Sequence, residues 1–367
     1  KHYNFSRRPH ASEMCYERGL AAVRLEETDR VAQVEFISHT GFVRKVSGID
    51  PLKQPDEALR RTYDALDLDM VWATWDPVHP WDILGRNTEA FKTRVDSWSE
   101  AYPTTWRTVF NVKTVEEVLE FNPLEEWEIP SREELAEFFR REHSAKQAFY
   151  RSQLVPGGKY QTCFMWLIMT FGLEWTVKAA YRDPKRFEKL LERFHRISKL
   201  EFEAWAETDI KVFISHDDIC STRGPFFPPE WLRKHVFPRY KELWSILKPK
   251  GIRILFCSDG DVTPIVDDIA RAGADGFILE ECSNLSSIVE KHGSEKVIVG
   301  GVDIGVLTYG SVGDVVNEVK RCLRTAGGYP GYFINVSGSI PDNVPIENLE
   351  TYFEACRRYG RRPVEIT

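Results

Sequence analysis

Short apolar runs alternate with amphipathic segments through the second half of the chain. The apolar runs are rich in β-branched and aromatic residues, which is typical of buried strands. They cover residues 209–218, 251–259, 273–281, 296–303 and 331–338. Between the last two runs, Val315, Val319 and Leu323 lie on one face of a predicted helix over residues 312–325. Strands and helices that alternate at this interval predict right-handed βα units and a parallel sheet.

The first half of the chain supplies the remaining predicted strands. They cover residues 31–39, 68–75 and 161–168, and they bring the total to eight. Eight parallel strands with helices between them are the count of a TIM barrel. We therefore predict an α/β fold of the (β/α)8 TIM type, and we expect residues 1–367 to form a single barrel domain.

Two segments fall outside this regular alternation. Residues 1–30 are charged and contain a helical run, so we predict an N-terminal helical extension. Residues 76–130 are interrupted by prolines and are rich in tryptophan, and a segment this aromatic is not expected to be disordered. We predict a Trp-rich insertion that covers one face of the barrel, with ordinary aromatic packing as the simpler alternative.

Composition and charge exclude several classes of function. The 367 residues are 42% hydrophobic and carry a net charge of -7, with no basic stripe that could follow a nucleic acid. No apolar run approaches the roughly 18 residues that a membrane-spanning helix needs. The seven cysteines are odd in number and widely spread, which favours reduced thiols and a cytoplasmic protein.

Each of the five runs in the second half ends in side chains that could do chemistry. The carboxyl ends of parallel barrel strands meet at one mouth, where TIM barrels carry their active sites. We therefore expect the following residues to lie near one another: His216, Asp217, Asp218, Cys257, Ser258, Asp259, Glu280, Glu281, Cys282, Asp303, Ser337 and Ser339. Taken singly, Asp217 or Asp218 could instead cap the helix that follows, and Cys282 could be a small core residue.

Two kinds of site fit these residue types. Cys257, Asp259 and Glu281 have the ligand types of a zinc site with an open fourth position. The two-residue period of a strand points Cys257 and Asp259 in the same direction. Alternatively, Asp217, Asp218 and Glu281 are acid and base groups whose crowding raises one pKa. The sequence has no Ser/His/Asp triad motif, phosphate-binding Gly loop or GxGxxG fingerprint, so hydrolase, kinase and dehydrogenase activities lack support.

Several longer segments carry a family resemblance. They are ERGLAAVRLEETDRV, DPKRFEKLLERF, HDDICSTRGPFFPPEWLRKHVFPRYKEL, ILFCSDGDVTPIVDDIARAGADGFILEE, GGVDIGVL and SGSIPDNVPIENLETYFEA. In these segments the chain resembles the uroporphyrinogen decarboxylase superfamily, which includes the decarboxylase and the corrinoid-dependent methyltransferases. The resemblance covers most of residues 15–360 and is weakest in the Trp-rich insertion. It implies a TIM-type barrel.

The resemblance also distinguishes two branches of the superfamily. The decarboxylase branch has an N-terminal arginine motif without an equivalent in residues 7–30, and Gly338 stands at its histidine position. In the thiol-methylating branch zinc is held by a His-x-Cys pair, a later Cys and an exchangeable Glu. Cys257 and Asp259 stand at the His-x-Cys positions and Glu281 stands at the Glu. Gly338 replaces the later Cys.

These departures favour a branch that removes methyl groups from small donors. The resemblance implies a methyltransferase that moves a methyl group from a methoxylated aromatic, by O-demethylation, to the Co(I) of a partner corrinoid protein. The candidate catalytic residues are His216, Asp217, Asp218 and Glu281, and the candidate ligands of Zn2+ are Cys257, Asp259 and Glu281. The alternatives are methyl transfer from a methylcobamide to a thiol or other acceptor, a decarboxylase-like lyase, and a non-catalytic barrel that binds a corrinoid protein.

Overall fold

The structure is a computed structural model, and it describes residues 11–73, 92–96, 99–102, 104–108 and 112–366. The strands are β1 (Ala32–Ile37), β2 (Met70–Val71), β3 (Lys92–Asp96), β4 (Thr104–Thr108), β5 (Gly157–Lys159), β6 (Val212–His216), β7 (Cys220–Ser221), β8 (Gly224–Pro225), β9 (Arg253–Cys257), β10 (Gly276–Leu279), β11 (Val297–Gly300), β12 (Tyr332–Ile334) and β13 (Ser339–Ile340).

The helices surround the main sheet. They are α1 (Ala11–Val23), α2 (Thr40–Ser47), α3 (Pro55–Leu66), α4 (Val115–Glu120), α5 (Pro123–Glu126), α6 (Arg132–Phe149), α7 (Phe164–Phe171), α8 (Leu173–Arg182), α9 (Pro184–Trp205), α10 (Pro229–His235), α11 (Phe237–Leu247), α12 (Val266–Ala272), α13 (Leu285–His292), α14 (Ile304–Tyr309), α15 (Val312–Ala326) and α16 (Ile346–Tyr359). None of these described helices combines the length and apolar character needed to cross a bilayer.

Parallel pairing carries the main sheet around a closed circuit. The strands β1, β12, β11, β10, β9, β6 and β5 pair in that order, and β2 pairs with the other side of β1. A parallel bridge between Met70 and Leu154 then joins β2 to the segment that leads into β5. The Val71 amide donates to the Leu154 carbonyl at 2.9 Å across this junction. The fold is therefore an α/β TIM-type barrel, as the alternation of strands and helices predicts.

The barrel interior is filled by side chains that point inward from most of the barrel strands and from the segment before β5. This interior cluster consists of Ala32, Val34, Met70, Leu154, Val212, Ile214, Leu255, Cys257, Ile278, Val297, Val299 and Phe333, together with Ala22 and Val23 of α1. Arg18 of α1 also pairs with the buried Asp69, which immediately precedes β2. The helix predicted in the N-terminal extension thus closes the amino end of the barrel and leaves the carboxyl end as the mouth.

Helix starts follow the signals in the sequence. The Asp183 side chain accepts hydrogen bonds from the Lys185 and Arg186 amides, and Pro184 occupies the first position of α9. Ser311 and Asp314 cap α15 reciprocally, each side chain accepting from the other residue's backbone amide. Both helices bury the apolar stripe that helical spacing predicts, because that face packs on the outside of the barrel.

The third predicted strand is wrong in position. Residues 161–168 do not form a strand; the strand is the three-residue β5, and α7 begins at Phe164. The α7 sequence FMWLIMTF is apolar throughout and nearly all of it is buried, so it has no periodicity that would distinguish a helix from a strand. Gly157 in β5 is closely packed, since a Cβ there would lie 2.6 Å from the end of the Ile210 side chain and 3.0 Å from the Trp205 ring.

The predicted insertion is described only in part. Within residues 76–130, the strands β3 and β4 pair antiparallel, and α4 and α5 follow them. Trp127 is buried, and its ring lies 5.7 Å from Phe194 and 6.0 Å from Trp166. This tryptophan therefore belongs to the ordinary aromatic core. Residues 76–91, 97–98, 103 and 109–111 lie outside the described residues, so a cover over the barrel remains a prediction.

Candidate active site

His216 and Cys257 lie side by side at the top of the barrel interior. They are partners in the β6–β9 register, and both strands point alternate residues inward. Val212 and Ile214 belong to the interior cluster, so His216 continues the inward row of β6. Asp259 continues the row of Cys257 beyond the end of β9. The two strand ends therefore converge on the barrel mouth.

Asp218 joins the groups at this mouth. Its Oδ1 lies 2.8 Å from His216 Nε2 and also accepts the Asp259 backbone amide at 2.8 Å. The hydroxyl of the buried Tyr160 donates to the other oxygen, Oδ2, at 3.1 Å. The Tyr160 ring centroid lies 4.2 Å from that of His216. Each oxygen of Asp218 is thus held by a neighbouring strand end.

The charges at the mouth raise the pKa of His216 and lower the pKa of Asp218. Burial opposes protonation of His216, but the Cys257 sulfur and the Asp218 carboxylate outweigh it and raise the pKa of His216 well above its ordinary value. Burial likewise opposes ionisation of Asp218, but His216 outweighs it and lowers the Asp218 pKa. The result is an imidazolium–carboxylate pair that stays charged at neutral pH.

Asp259 is poised to exchange a proton near neutral pH. Its side chain reaches solvent, yet the surrounding protein desolvates it and the nearby carboxylate of Asp218 disfavours a second negative charge. Glu280 and Glu281 act in the same direction, and together these effects raise the pKa of Asp259 to about 7. A carboxyl group with this pKa can donate or accept a proton under working conditions.

Asp217 faces a different part of the molecule. It is fully buried, and its carboxylate accepts the Phe164 and Met165 amides at 2.8 and 2.6 Å and the Tyr240 hydroxyl at 2.6 Å. Burial raises the pKa of Asp217 to about 6. These contacts tie the end of β6 to the first turn of α7, a helix that precedes Asp217 in the chain, whereas the capping alternative placed Asp217 on the helix that follows it. A catalytic role for Asp217 remains a prediction.

Cys257 and Glu281, which were predicted to bind one metal ion, differ in their exposure to solvent. Cys257 is buried in the barrel interior, and burial raises the pKa of its thiol. Glu281 is exposed, whereas its neighbour Glu280 continues the inward row of Ile278. Glu280 Oε2 accepts the Gly260 amide at 2.7 Å, and desolvation raises the pKa of Glu280. The catalytic and metal roles predicted for Glu281 therefore remain predictions.

Sequence reasoning missed Tyr160, and it grouped Glu280 at the mouth without giving it a role, since the catalytic and metal roles went to Glu281. Glu280 stands two residues beyond the inward-facing Ile278, so the strand period was a usable signal for it. Tyr160 directly follows β5, and it was missed because that strand was predicted several residues too late.

The mouth offers donors of the types that bind a divalent metal. One nitrogen of His216 and one carboxylate oxygen each of Asp218 and Asp259 lie within 4.8 Å of one another, and within the described parts of the chain this is the group that could hold an ion. The predicted set of Cys257, Asp259 and Glu281 shares Asp259 with it. Imidazole and carboxylate ligands suit zinc, and three protein ligands leave a position for substrate. The donor set therefore fits Zn2+.

The acid–base groups lie at the carboxyl-terminal mouth of the parallel barrel, which is where TIM-barrel enzymes have their active sites. Residues 88–359 match the uroporphyrinogen decarboxylase (URO-D) family. This match covers most of the chain, and the chain belongs to that family.

Sequence relatives match over part of their length. Uroporphyrinogen decarboxylase from Syntrophotalea carbinolica is 25% identical over 178 residues, 48% of this chain and 50% of the relative. The enzyme of the same name from Thermus thermophilus is 28% identical over 167 residues, 46% of each chain. The chain thus spans about half the length of the curated relatives it matches. Among solved structures, a methyltransferase from Methanosarcina mazei shares the fold with a TM-score of 0.65, 17% identity, and coverage of 94% of this chain and 98% of that one.

Proposed function

We propose that the protein is a cytoplasmic methyltransferase that takes a methyl group from a small donor, with O-demethylation of a methoxylated aromatic favoured, and passes it to the Co(I) of a partner corrinoid protein. Family membership and a scaffold shared with the Methanosarcina mazei methyltransferase support this class of activity. The seven free cysteines fit a reducing compartment.

The observation that carries the proposal is an aromatic wall and a carboxyl group of raised pKa, Asp259, at the same barrel mouth. Phe36 and Trp72 continue the inward rows of Val34 and Met70, and their rings stack at 5.9 Å. Tyr160 follows on the next strand of the circuit. A planar ring fits such a wall, because aromatic pairs favour offset stacking.

The neighbouring strand ends supply an acid that can protonate the leaving oxygen of an ether. Reduced corrinoid cobalt is a strong nucleophile, but a phenoxide is a poor leaving group unless its oxygen is protonated or bound to a Lewis acid. When the methyl carbon–oxygen bond breaks, the bonding pair stays on oxygen, and Asp259 donates the proton that neutralises it. The His216–Asp218 pair lies beside Asp259 and fixes its backbone. Alternatively, a zinc ion that displaces the protons of His216 and Asp259 would be held by these two residues and Asp218, and it would supply Lewis acidity in place of the proton.

For the decarboxylase alternative, two arginines in the described part of the N-terminal segment are already paired. Arg18 and Arg30 both pair with the carboxylate of Asp69, which lies at the amino end of the barrel. They therefore point away from the mouth and cannot hold the carboxylates of a bound tetrapyrrole there. Thiol methylation remains the second candidate, because Cys257 and Asp259 stand where that branch binds zinc.

The test uses a reduced corrinoid protein and a panel of methoxylated aromatics. The cobalt absorption spectrum should change on addition of the wild-type protein with at least one donor, and the free phenol should appear. Thiol acceptors incubated with a methylated corrinoid test the second candidate. No spectral change with any methyl donor, or release of carbon dioxide from an acidic substrate, would remove the proposal.

A further inference from the structure

Four consecutive backbone amides follow β9, and each one donates a hydrogen bond to a different residue of the flanking segments. The pairs are Asp259 to Asp218 Oδ1 (2.8 Å), Gly260 to Glu280 Oε2 (2.7 Å), Asp261 to the Ser221 carbonyl (2.9 Å) and Val262 to Ser283 Oγ (3.1 Å). We call residues 259–262 the β9 turn. Short turns on a protein surface usually leave some amides to water, so this complete pairing indicates a turn built to be immobile.

The backbone conformation of the β9 turn is also restricted, by the φ angle of Gly260 and by the space around it. Gly260 has a φ of 86°, in the left-handed region that favours glycine. A Cβ at this position would lie 2.5 Å from the Ser221 carbonyl oxygen. The turn is thus pressed against β7 on one side, and Ser283 Oγ also donates to the Gly260 carbonyl at 3.2 Å on the other. This packing limits how far Gly260 can move toward β7.

Two carboxylates hold the turn from opposite sides. β6 and β10 flank β9 in the sheet, and Asp218 and Glu280 follow their ends. Each carboxylate accepts one of the first two amides of the turn, next to the Asp259 side chain. Asp218 also forms hydrogen bonds with His216 and Tyr160. Glu280 holds the opposite side of the β9 turn through its hydrogen bond with the Gly260 amide. Charge-assisted hydrogen bonds of this kind are the strong ones.

We infer that Glu280 is a positioning residue whose carboxylate, by holding the Gly260 amide, fixes the β9 turn and aims the Asp259 side chain at the His216–Asp218 pair. Its role in methyl transfer rests on the proposed function; its role in holding the turn does not. Glu280 acts on the turn through its hydrogen-bond acceptor, whereas its negative charge acts separately by raising the pKa of Asp259. That distinction separates a positioning group from a metal ligand or a proton donor.

The experiment compares Glu280→Ala, Glu280→Gln and the control Glu290→Ala, which removes an exposed glutamate from the end of α13. Hydrogen exchange of the amides of residues 259–262 reports the turn without any substrate. Steady-state kcat and KM for methyl transfer report the site. Glu280→Ala should speed exchange by about tenfold or more and lower kcat by a similar factor with little change in KM. Glu280→Gln keeps an acceptor oxygen and should restore most of the slow exchange, and it should restore most of kcat below neutral pH, where Asp259 keeps its proton without the charge of Glu280. Glu290→Ala should change neither.

The two readouts separate the inference from the proposed function. Unchanged exchange in Glu280→Ala would overturn the inference even if methyl transfer is observed. A Glu280→Gln variant whose amides exchange as fast as those of Glu280→Ala would also overturn it, because the charge would then be the property that holds the turn. If the wild-type protein transfers no methyl group, the proposed function fails, while faster exchange in Glu280→Ala with rescue in Glu280→Gln still supports the role in holding the turn.

Discussion

Replacing Asp259 by Asn should lower the rate of methyl transfer and remove its dependence on pH above neutrality. The magnitude follows from the pKa of Asp259, which rises from 3.8 to about 7. A carboxyl with the ordinary value would be protonated in about one molecule in 1,600 at pH 7, whereas Asp259 is protonated in about half. The mouth therefore increases the population of the acid form by about 800-fold.

This population sets the expected kinetics. The wild-type kcat/KM should fall about tenfold per pH unit once the pH exceeds about 7, because the acid form is lost. Asp259→Asn should be about 10²- to 10⁴-fold slower at neutral pH and flat over the same range. Asp261→Asn is the matched control, since Asp261 lies in the same turn and its side chain only accepts the Thr263 amide. The assay is the initial rate of the cobalt spectral change at a series of pH values.

Two results would refute this reasoning. A wild-type profile that stays flat above neutral pH would show that no group with the pKa of Asp259 delivers a proton. An Asp259→Asn variant that retains more than about a tenth of the wild-type rate would show that the proton comes from elsewhere.

Further predictions concern stability and metal binding. Glu35 is fully buried and burial raises its pKa from 4.5 to about 8, so the folded state holds a proton that the unfolded state releases. Relative to Glu35→Gln, the wild-type protein should have this stabilisation in full below pH 4.5 and lose up to about 5 kcal/mol of it by pH 8, as denaturant unfolding of both proteins would show; parallel pH curves would contradict this. Gly260→Ala should lower Tm more than Gly48→Ala, since both residues have positive φ but only Gly260 has backbone within 3 Å of the added Cβ; equal losses would exclude the clash. Zinc affinity measured by titration should fall in His216→Ala and not in Cys257→Ala, and the reverse would favour the sequence-predicted ligands.

The barrel could be predicted wherever strands have a buried, β-branched pattern. The second half of the chain supplies such strands, and β6, β9, β10, β11 and β12 all lie within predicted runs. The β5 sequence Gly-Gly-Lys has no such pattern. Its position in the barrel follows from its pairing with β6 and from close packing against α9 and Ile210. Tertiary contacts of this kind are not encoded in local periodicity.

The location of the site could be predicted from the sequence more readily than the role of each residue in it. Carboxyl ends of parallel strands meet at one mouth, so His216, Asp218 and Asp259 could be grouped from the sequence. The distinct environment of Asp217 depends on the amides of α7, a segment some fifty residues earlier in the chain. Which of Glu280 and Glu281 faces the mouth depends on the inward row of β10, and that is fixed only when the strand's pairing is known.

The central claim is that this protein moves a methyl group from an aromatic ether to the cobalt of a partner protein. The most direct measurement follows an isotopically labelled methyl carbon, by NMR, from a methoxylated aromatic in a mixture with the reduced corrinoid protein. We predict that label appears on the corrinoid in equal amount to the phenol released, and only when the wild-type protein is present. Label that stays on every ether tested, or phenol released without label on the corrinoid, would contradict the claim.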